Sequence, residues 1–495
     1  MRRFSHIIFC AVLMLVSMES HASTLLTMKQ IADSLQAIGH FPPSAPKAKV
    51  RNIQVKNNKV KLYTNTTISC VSFSPSDLRR LKRKVSLWVL GHPDGDVSIY
   101  SDGYELDELI SSQYRQRDAN DRYCLPYYRP MVSEQNRPWS ASSGLDGRHI
   151  AISPSHGVYY NVHQNTWMWQ RATVWTVVED LFSSELANQW LVPMLENAGA
   201  YIFEPRERDV QVNERILFVD ETDNKKENLI RTQVPEEGQY GIYYKASANT
   251  QEAVVSVSIV HQGIRTDYKA RTNIGQGVWQ WIGSHYFGMQ SDSNYILVKG
   301  QGIEAIRLGG GMGTIRREGE LSDLPRWEEA ARYWLEYAGY PNSVWDNNES
   351  ADDYKDDLQS RGLWVNYLTA GSACNPKGEG LKVPIELCLA LHTDGEREEQ
   401  EKQMSGTLAI YTNHNNSGAQ QFPTGVTRLI NRDLGDYVQT QITQDMTALT
   451  EHSWRRRELK NGNYCESRYP DIPTLLLEVL SHYNLRDMHY GLNPK

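Results

Sequence analysis

Two stretches far apart in the chain are built alike: IAISPSHGVYYN, from Ile150 to Asn161, and IELCLALHTDGE, from Ile385 to Glu396. Each is a short apolar run that delivers a histidine, His156 or His392, at the point where the run turns polar. Short apolar runs of this kind read as buried strands. In α/β proteins reactive groups collect where strands end, at the carboxyl edge of the sheet. Two imidazoles delivered there, with one carboxylate between them in the chain and another beyond, are what a catalytic zinc site requires. The fold class that follows is α/β around a mixed sheet, with the rest of the chain as scaffold, insertion or targeting sequence.

At 495 residues the chain is long enough for about three domains of ~150 residues. With 59 acids against 52 bases the net charge is −7, so no basic field invites nucleic acid. Arg2 and Arg3 precede an apolar run from Ile7 to Val16, and Ser20-His21-Ala22 offers small residues at the −3 and −1 positions of a cleavage site. This is the pattern of a secretory signal peptide over residues 1–22, too short to span a membrane. The expectation is an exported chain, periplasmic or secreted, with no membrane span after cleavage. Of the six cysteines, Cys10 lies in that leader, leaving Cys70, Cys124, Cys374, Cys388 and Cys465. An odd number without C-x-x-C spacing argues against a dense disulfide framework and a Cys₄ zinc site. A single bridge, such as Cys70–Cys124, stays open.

Residues 23–147 read as an N-terminal α+β region whose role the sequence does not disclose. Strands are expected at Thr66 to Phe73 and Lys84 to Leu90, and a short helix at Glu105 to Tyr114. Ser133 to Asp146, polar and rich in Ser, Gly and Pro, reads as a linker or surface loop. His149 to Ser153 starts the strand that leads to His156. An apolar stripe then recurs at spacing four, through Val174, Val178, Phe182, Leu186 and Trp190, as in a helix that Pro193 kinks or restarts. Tyr201 to Phe203 closes a βαβ unit. From about 216 to 313 short strands succeed one another (Tyr240 to Ala246, Val254 to His261, Gln280 to Tyr286, Ile303 to Leu308), as in a β-sandwich inserted into the α/β domain. That leaves 148–215 and 314–495 as its two parts. The second contains a helix at Arg326 to Tyr337, strands at Gly362 to Leu368, Val383 to Leu391 and Leu408 to Thr412, a helix at Leu434 to Leu449, and a buried strand at Pro473 to Leu480.

Taken together, IAISPSHGVYYN, Val177 to Asp209 (VVEDLFSSELANQWLVPMLENAGAYIFEPRERD), LALHTDGE, GTLAIYTN and IPTLLLEVLSHYN resemble, in this order, zinc-dependent N-acetylmuramoyl-L-alanine amidases of the amidase-3 type. The segments YGIYYKAS, VSVSIVHQG, TNIGQGVWQWIGSHYF and IEAIRLGG resemble the golvesin C-terminal-like domain, and similar composite chains carry the label xanthan lyase. The resemblance runs from about Arg148 to the C-terminus. It implies zinc held by His156, Glu179 and His392, with Glu478 as catalytic base. It also implies peptidoglycan as substrate, cut at the amide between N-acetylmuramic acid and L-alanine. Asp180 is the alternative third ligand, one register step away. The family has two glycines after the first histidine, where this chain has Gly157-Val158-Tyr159. It also follows the late glutamate with glycine and phenylalanine, where this chain has Val479-Leu480. Those changes imply altered specificity or lost activity.

The remaining candidates have ordinary explanations beside the functional ones. Glu478 lies in an apolar strand, where a carboxylate is either paired, with Arg468 or Arg486 for instance, or functional. Asp394 and Glu396 stand near His392 as orienting groups or as a solvated loop. His163, Arg206 and Arg208 are substrate contacts or surface charge. Trp279 and Trp281 stack on sugar, or divide between core and surface. Two rival functions follow: a zinc peptidase or amidase on another cell-wall or peptide substrate, and a non-catalytic carbohydrate-binding protein on an amidase scaffold. A polysaccharide lyase, which needs a base acting on a uronic acid, is the weakest reading.

Overall fold

The computed structural model describes residues 25–39, 41, 45–114, 128–137, 144–219, 227–251, 254–289, 293–349, 351–395, 403–450 and 454–493. The chain is mixed α/β with several sheets, and it divides into two compact units. The first comprises Met1–Ala119, Gly406–Ala409 and Arg432–Asn461; the second holds the remainder, including both histidine runs. Residues 1–22, expected as a signal peptide, lie outside the described residues, as do Cys124 and Glu396. Among the described residues no helix is long and apolar enough to cross a membrane, and Cys70, Cys388 and Cys465 are free thiols.

In the first unit Val50–Lys56, Lys59–Thr64, Asp96–Ser101 and Tyr104–Glu105 form a four-stranded sheet. The strand expected at Lys84 to Leu90 is instead the end of a helix, Pro75–Leu90. The Ser74 side chain caps its start by accepting from the Asp77 amide, and Gly91 ends it at φ +82°. Leu78, Leu81, Val85 and Val89 are buried along one face, a 3.6-residue period that a seven-residue window is too short to show. Thr66 to Phe73 contains only a 3₁₀ turn, Ile68–Cys70. The helix expected at Glu105 to Tyr114 is absent; a two-residue strand, Tyr104–Glu105, gives way there to turns.

In the second unit four parallel strands lie side by side in the order Thr474–Ser481, Leu387–Asp394, His149–Pro154, Tyr201–Phe203. Two antiparallel sheets accompany them. One has the order Arg215–Phe218, Ile303–Leu308, Gly238–Ala246, Trp279–Phe287; the other has Asn228–Arg231, Tyr295–Lys299, Val254–His261, Ile264–Arg271, Val132–Glu134. The last of these, which includes Ser133 and Glu134 from the stretch expected as a linker, pairs as an edge strand with Ile264–Arg271. One apolar core joins the three sheets. It runs from Ala151, Phe203 and Cys388 of the parallel strands to Tyr240, Val257, Ile296 and Ile306 of the antiparallel ones, by way of Trp334 and Val365.

The helix after the first histidine starts later than its stripe suggests, at Glu179–Leu186. Trp175 and Thr176 take φ of +52° and +67°, and Val174 pairs with Val177 across the turn they make. The first helical turn therefore holds Glu179 and Asp180, where the helix dipole favours acids. Pro193 does restart the helix, as Val192–Asn197. Gly362 to Leu368, expected as a strand, belongs to the helix Asp353–Thr369. Trp364, Val365 and Leu368 are buried there, but the same buried face also carries Asp353, Asp357 and Arg361, so no apolar stripe marks the helical period.

His149 opens the strand that leads to the site, buried beside Tyr201 and Phe203 with ring centroids 6.2 Å from each. Neither ring nitrogen has a hydrogen-bond partner among the described residues. Burial, and secondarily the charge of Arg271, pushes its pKa down to about 3. The unfolded chain therefore takes up a proton near pH 6.5 that the folded chain refuses. The stability held above that pH is lost as pH falls toward about 3. Between about pH 7 and pH 5, the melting temperature of wild type should fall more steeply than that of His149→Phe, followed by circular dichroism.

Candidate metal centre

The two histidine-bearing strands are direct neighbours, with Leu391 beside Pro154 in register. Beyond Pro154 the chain breaks from the strand at Ser155, which has φ +47°. For a residue with a Cβ this left-handed conformation costs about 1–2 kcal/mol, and it is held from two sides. Arg361 Nη1 donates to the Ser155 carbonyl at 2.9 Å, and Ser155 Oγ donates to Glu179 Oε1 at 3.0 Å. Gly157 follows because the chain here passes against Glu329 and Ala330. A Cβ would come within 2.6 Å of their backbone atoms.

This turn brings three metal-ligating side chains together. His156, Glu179 and His392 each offer a donor atom within 4.8 Å of the others, and all three are buried. His392 Nδ1 lies 3.1 Å from Glu179 Oε1, and His156 Nδ1 lies 3.8 Å from Glu179 Oε2. Zinc bonds of about 2.0–2.2 Å in tetrahedral array need ligand atoms roughly 3.3–3.6 Å apart, so the spacing of these donors is close to what the ion needs. The donor set fits the ion.

The second nitrogen of His392 is equally well placed. Nε2 lies 2.9 Å from Glu466 Oε2, and the other Glu466 oxygen accepts from Ser153 Oγ at 2.8 Å. Arg361 Nη1 is 3.0 Å from the same Glu466 carboxylate. A histidine whose rear N–H is fixed on a carboxylate has its other lone pair aimed at the metal. Both His392 nitrogens face carboxylate oxygens, which only accept, so the ring here donates from both and carries a positive charge. Burial opposes that charge, but Glu466 and Glu179 outweigh it and raise the pKa to about 10. Burial likewise works against ionised Glu466, yet Arg361 and His392 hold it at about 2. Burial would raise Glu179 too, and the hydrogen bond and charge of His392, with Arg171, keep it low.

The structure separates the other candidates. Asp180 faces away from the donor group: its carboxylate accepts from the Gln170 and Arg171 amides at 3.3 and 3.1 Å, and burial with the neighbouring Glu179 charge raises its pKa to about 7. Glu478 sits beside His392 in register on the adjacent strand, so both side chains leave the same face of the sheet. Arg206 is a buried clamp. Its guanidinium donates to the carbonyls of Pro154, Asp180, Trp327 and Glu329. Arg208 pairs with Glu196 at 2.9 Å and covers the Trp281 ring at 4.1 Å, which places Trp281 under an arginine of this chain. Trp279 is half-buried on the same strand, and His163 is exposed. Arg468 goes to Asn463 and Tyr469, and Asp394 follows His392 on its strand.

Glu466, Ser155, Arg171 and Arg361 were not legible as site residues. Glu466 stands in a four-residue helix, Cys465–Arg468, and nothing in the surrounding NYCESRYP distinguishes it from a surface acid. Arg361 immediately precedes Gly362 to Leu368, the run that reads as a strand.

No protein-family model matches the chain, and no curated protein matches it. Among solved structures, a Paenibacillus xanthan lyase is similar over 20% of this chain and 13% of its own length, at 18% identity and a TM-score of 0.18. A likeness that slight carries no argument about fold or activity.

Glu466→Gln keeps a group of the same shape but removes the charge that fixes His392. Zinc affinity, measured by competition with a chromophoric chelator, should drop about 10- to 100-fold, while Glu478→Gln leaves it within a few-fold of wild type.

Proposed function

We propose that this chain is an exported zinc hydrolase that cleaves the amide between N-acetylmuramic acid and L-alanine in peptidoglycan. The observation that carries the reading is the convergence of His156, Glu179 and His392 at the carboxyl edge of parallel strands, with His392 backed by Glu466. The ordered resemblance of the sequence to amidase-3 enzymes supplies the substrate. On the same reading, the two antiparallel sheets are the inserted golvesin-like sandwich, which binds glycan or borders the cleft.

Zinc, when bound, supplies a Lewis acid that polarises the scissile carbonyl and stabilises negative charge on its oxygen. The residues of the chain do the rest. Glu478, on the strand beside His392 and on the same face, takes the proton from the attacking water and passes it to the leaving amine of L-alanine. Glu466 and Arg361 keep His392 in one orientation throughout. The hairpin Val158–Asn161 and Thr166–Trp169 follows Gly157 directly, where the family has a second glycine, and on this reading that change alters which stem peptides are accepted.

The purified chain should contain about one zinc per molecule, and His392→Ala should lose it. Wild type should release stem peptides from purified sacculi, and Glu478→Gln should slow that release roughly 10²- to 10⁴-fold with zinc retained. A wild-type protein that takes up no zinc, even when zinc is offered and the excess dialysed away, would exclude the hydrolase. Glycan affinity in such a protein would leave the carbohydrate-binding alternative.

A further inference from the structure

Arg171 lies against two of the three donors. Its Nη2 is 2.9 Å from His156 Nε2, and its Nε is 3.5 Å from Glu179 Oε2. A guanidinium has donors only and does not lose its proton in proteins. In this contact, then, His156 Nε2 is the acceptor and carries no proton. The ring's one proton sits on Nδ1, 2.8 Å from Ser155 Oγ, and that hydroxyl in turn donates to Glu179 Oε1 at 3.0 Å.

The arrangement leaves His156 no lone pair to give away. An ion bound through Nε2 must take the position of the Arg171 donor. An ion bound through Nδ1 needs that nitrogen's proton to move to Nε2, and a protonated Nε2 cannot accept from Arg171. By either route, ligation by His156 and the Arg171 contact exclude each other.

Arg171 is also built to leave. Its side chain is 35% exposed, whereas those of His156 and Glu179 are each 3% exposed. Among the described residues its remaining side-chain hydrogen bonds are one of 3.2 Å to the Gln170 carbonyl and one of 3.5 Å to the Tyr354 hydroxyl. Its backbone is fixed, because its amide donates to Asp180 Oδ2 at 3.1 Å. Only the side chain needs to swing, out of a buried donor group and toward solvent.

We propose that Arg171 is a built-in competitor for the metal, its guanidinium and the ion taking turns on His156 and Glu179. The inference rests on the metal reading of the three donors and adds a control on how readily the ion binds. If the contact is in place about nine-tenths of the time, the apparent Kd for zinc is raised about tenfold.

The test compares wild type with Arg171→Met, which keeps the side chain's stem, and with Arg171→Ala should the first variant fail to fold. Zinc isotherms are measured against a chromophoric chelator, and melting temperatures are recorded with and without saturating zinc. The expected result is zinc binding tightened about tenfold in the variant. The variant should melt below wild type in the absence of zinc, and that gap should close when zinc saturates both. Unchanged or weaker binding, with the melting gap unaltered by zinc, overturns the competitor while leaving the metal site standing. Well-folded wild type and variant that both fail to bind zinc overturn the metal reading, and the competitor with it.

Discussion

One face of the helix Asp353–Thr369 carries Asp353, Asp357 and Arg361 at intervals of four residues, all buried, and the site hangs from that stripe. Asp353 accepts from Arg317, from Arg332 and from the Tyr333 hydroxyl, which itself accepts from the Tyr160 amide in the hairpin beyond His156. Asp357 accepts from Gln170, the residue before Arg171, and from the Arg332 amide. Arg361 reaches both the Ser155 carbonyl and Glu466. Buried charges of this kind add little net stability when paired, yet removing one partner typically costs about 3–5 kcal/mol. The stripe therefore dictates position. Each of its members has its partner at one place in the fold, and those places are the strand end, the hairpin and the carboxylate behind His392.

How much of this could be read in advance depended on whether the information was local. The runs ending in His156 and His392 are short, apolar and sharply bounded, and both proved to be neighbouring strands with their histidines at the same edge. Glu179 was reachable only as one of two adjacent acids. The choice over Asp180 is made by the left-handed pair Trp175 and Thr176, which delays the helix and fixes its register. Neither residue is a glycine, so the usual sign of such a turn is missing. The helix bearing Arg361 was hidden because much of its buried face is charged, so no apolar stripe announces the helical period. Glu466 was hidden because its significance comes from residues 74 and 105 positions away, His392 and Arg361, and not from its own surroundings.

The charges around the donors also show how a buried site can be kept acidic without being unstable. Glu179 and Glu466 are ionised at positions with almost no access to water, and each faces a cation of this chain. His392 lies between them and is shared by both. On the proposed reading such a group accommodates a divalent cation because the compensating charges are already arranged around it, and their partial withdrawal leaves room for the ion's own.

The apolar core that runs without a break from the parallel strands into both antiparallel sheets has a consequence for how the second unit behaves as a body. A module attached through a surface loop ordinarily melts on its own and can be cut away. Here Tyr201 and Phe203 share buried surface with Tyr240 and Ile242, so freeing the antiparallel sheets would bare the flank of the parallel ones. A shared core of this kind couples their unfolding. Any load placed on the antiparallel sheets, by a partner or by tension along an extended polymer, is borne by the strands that carry the histidines.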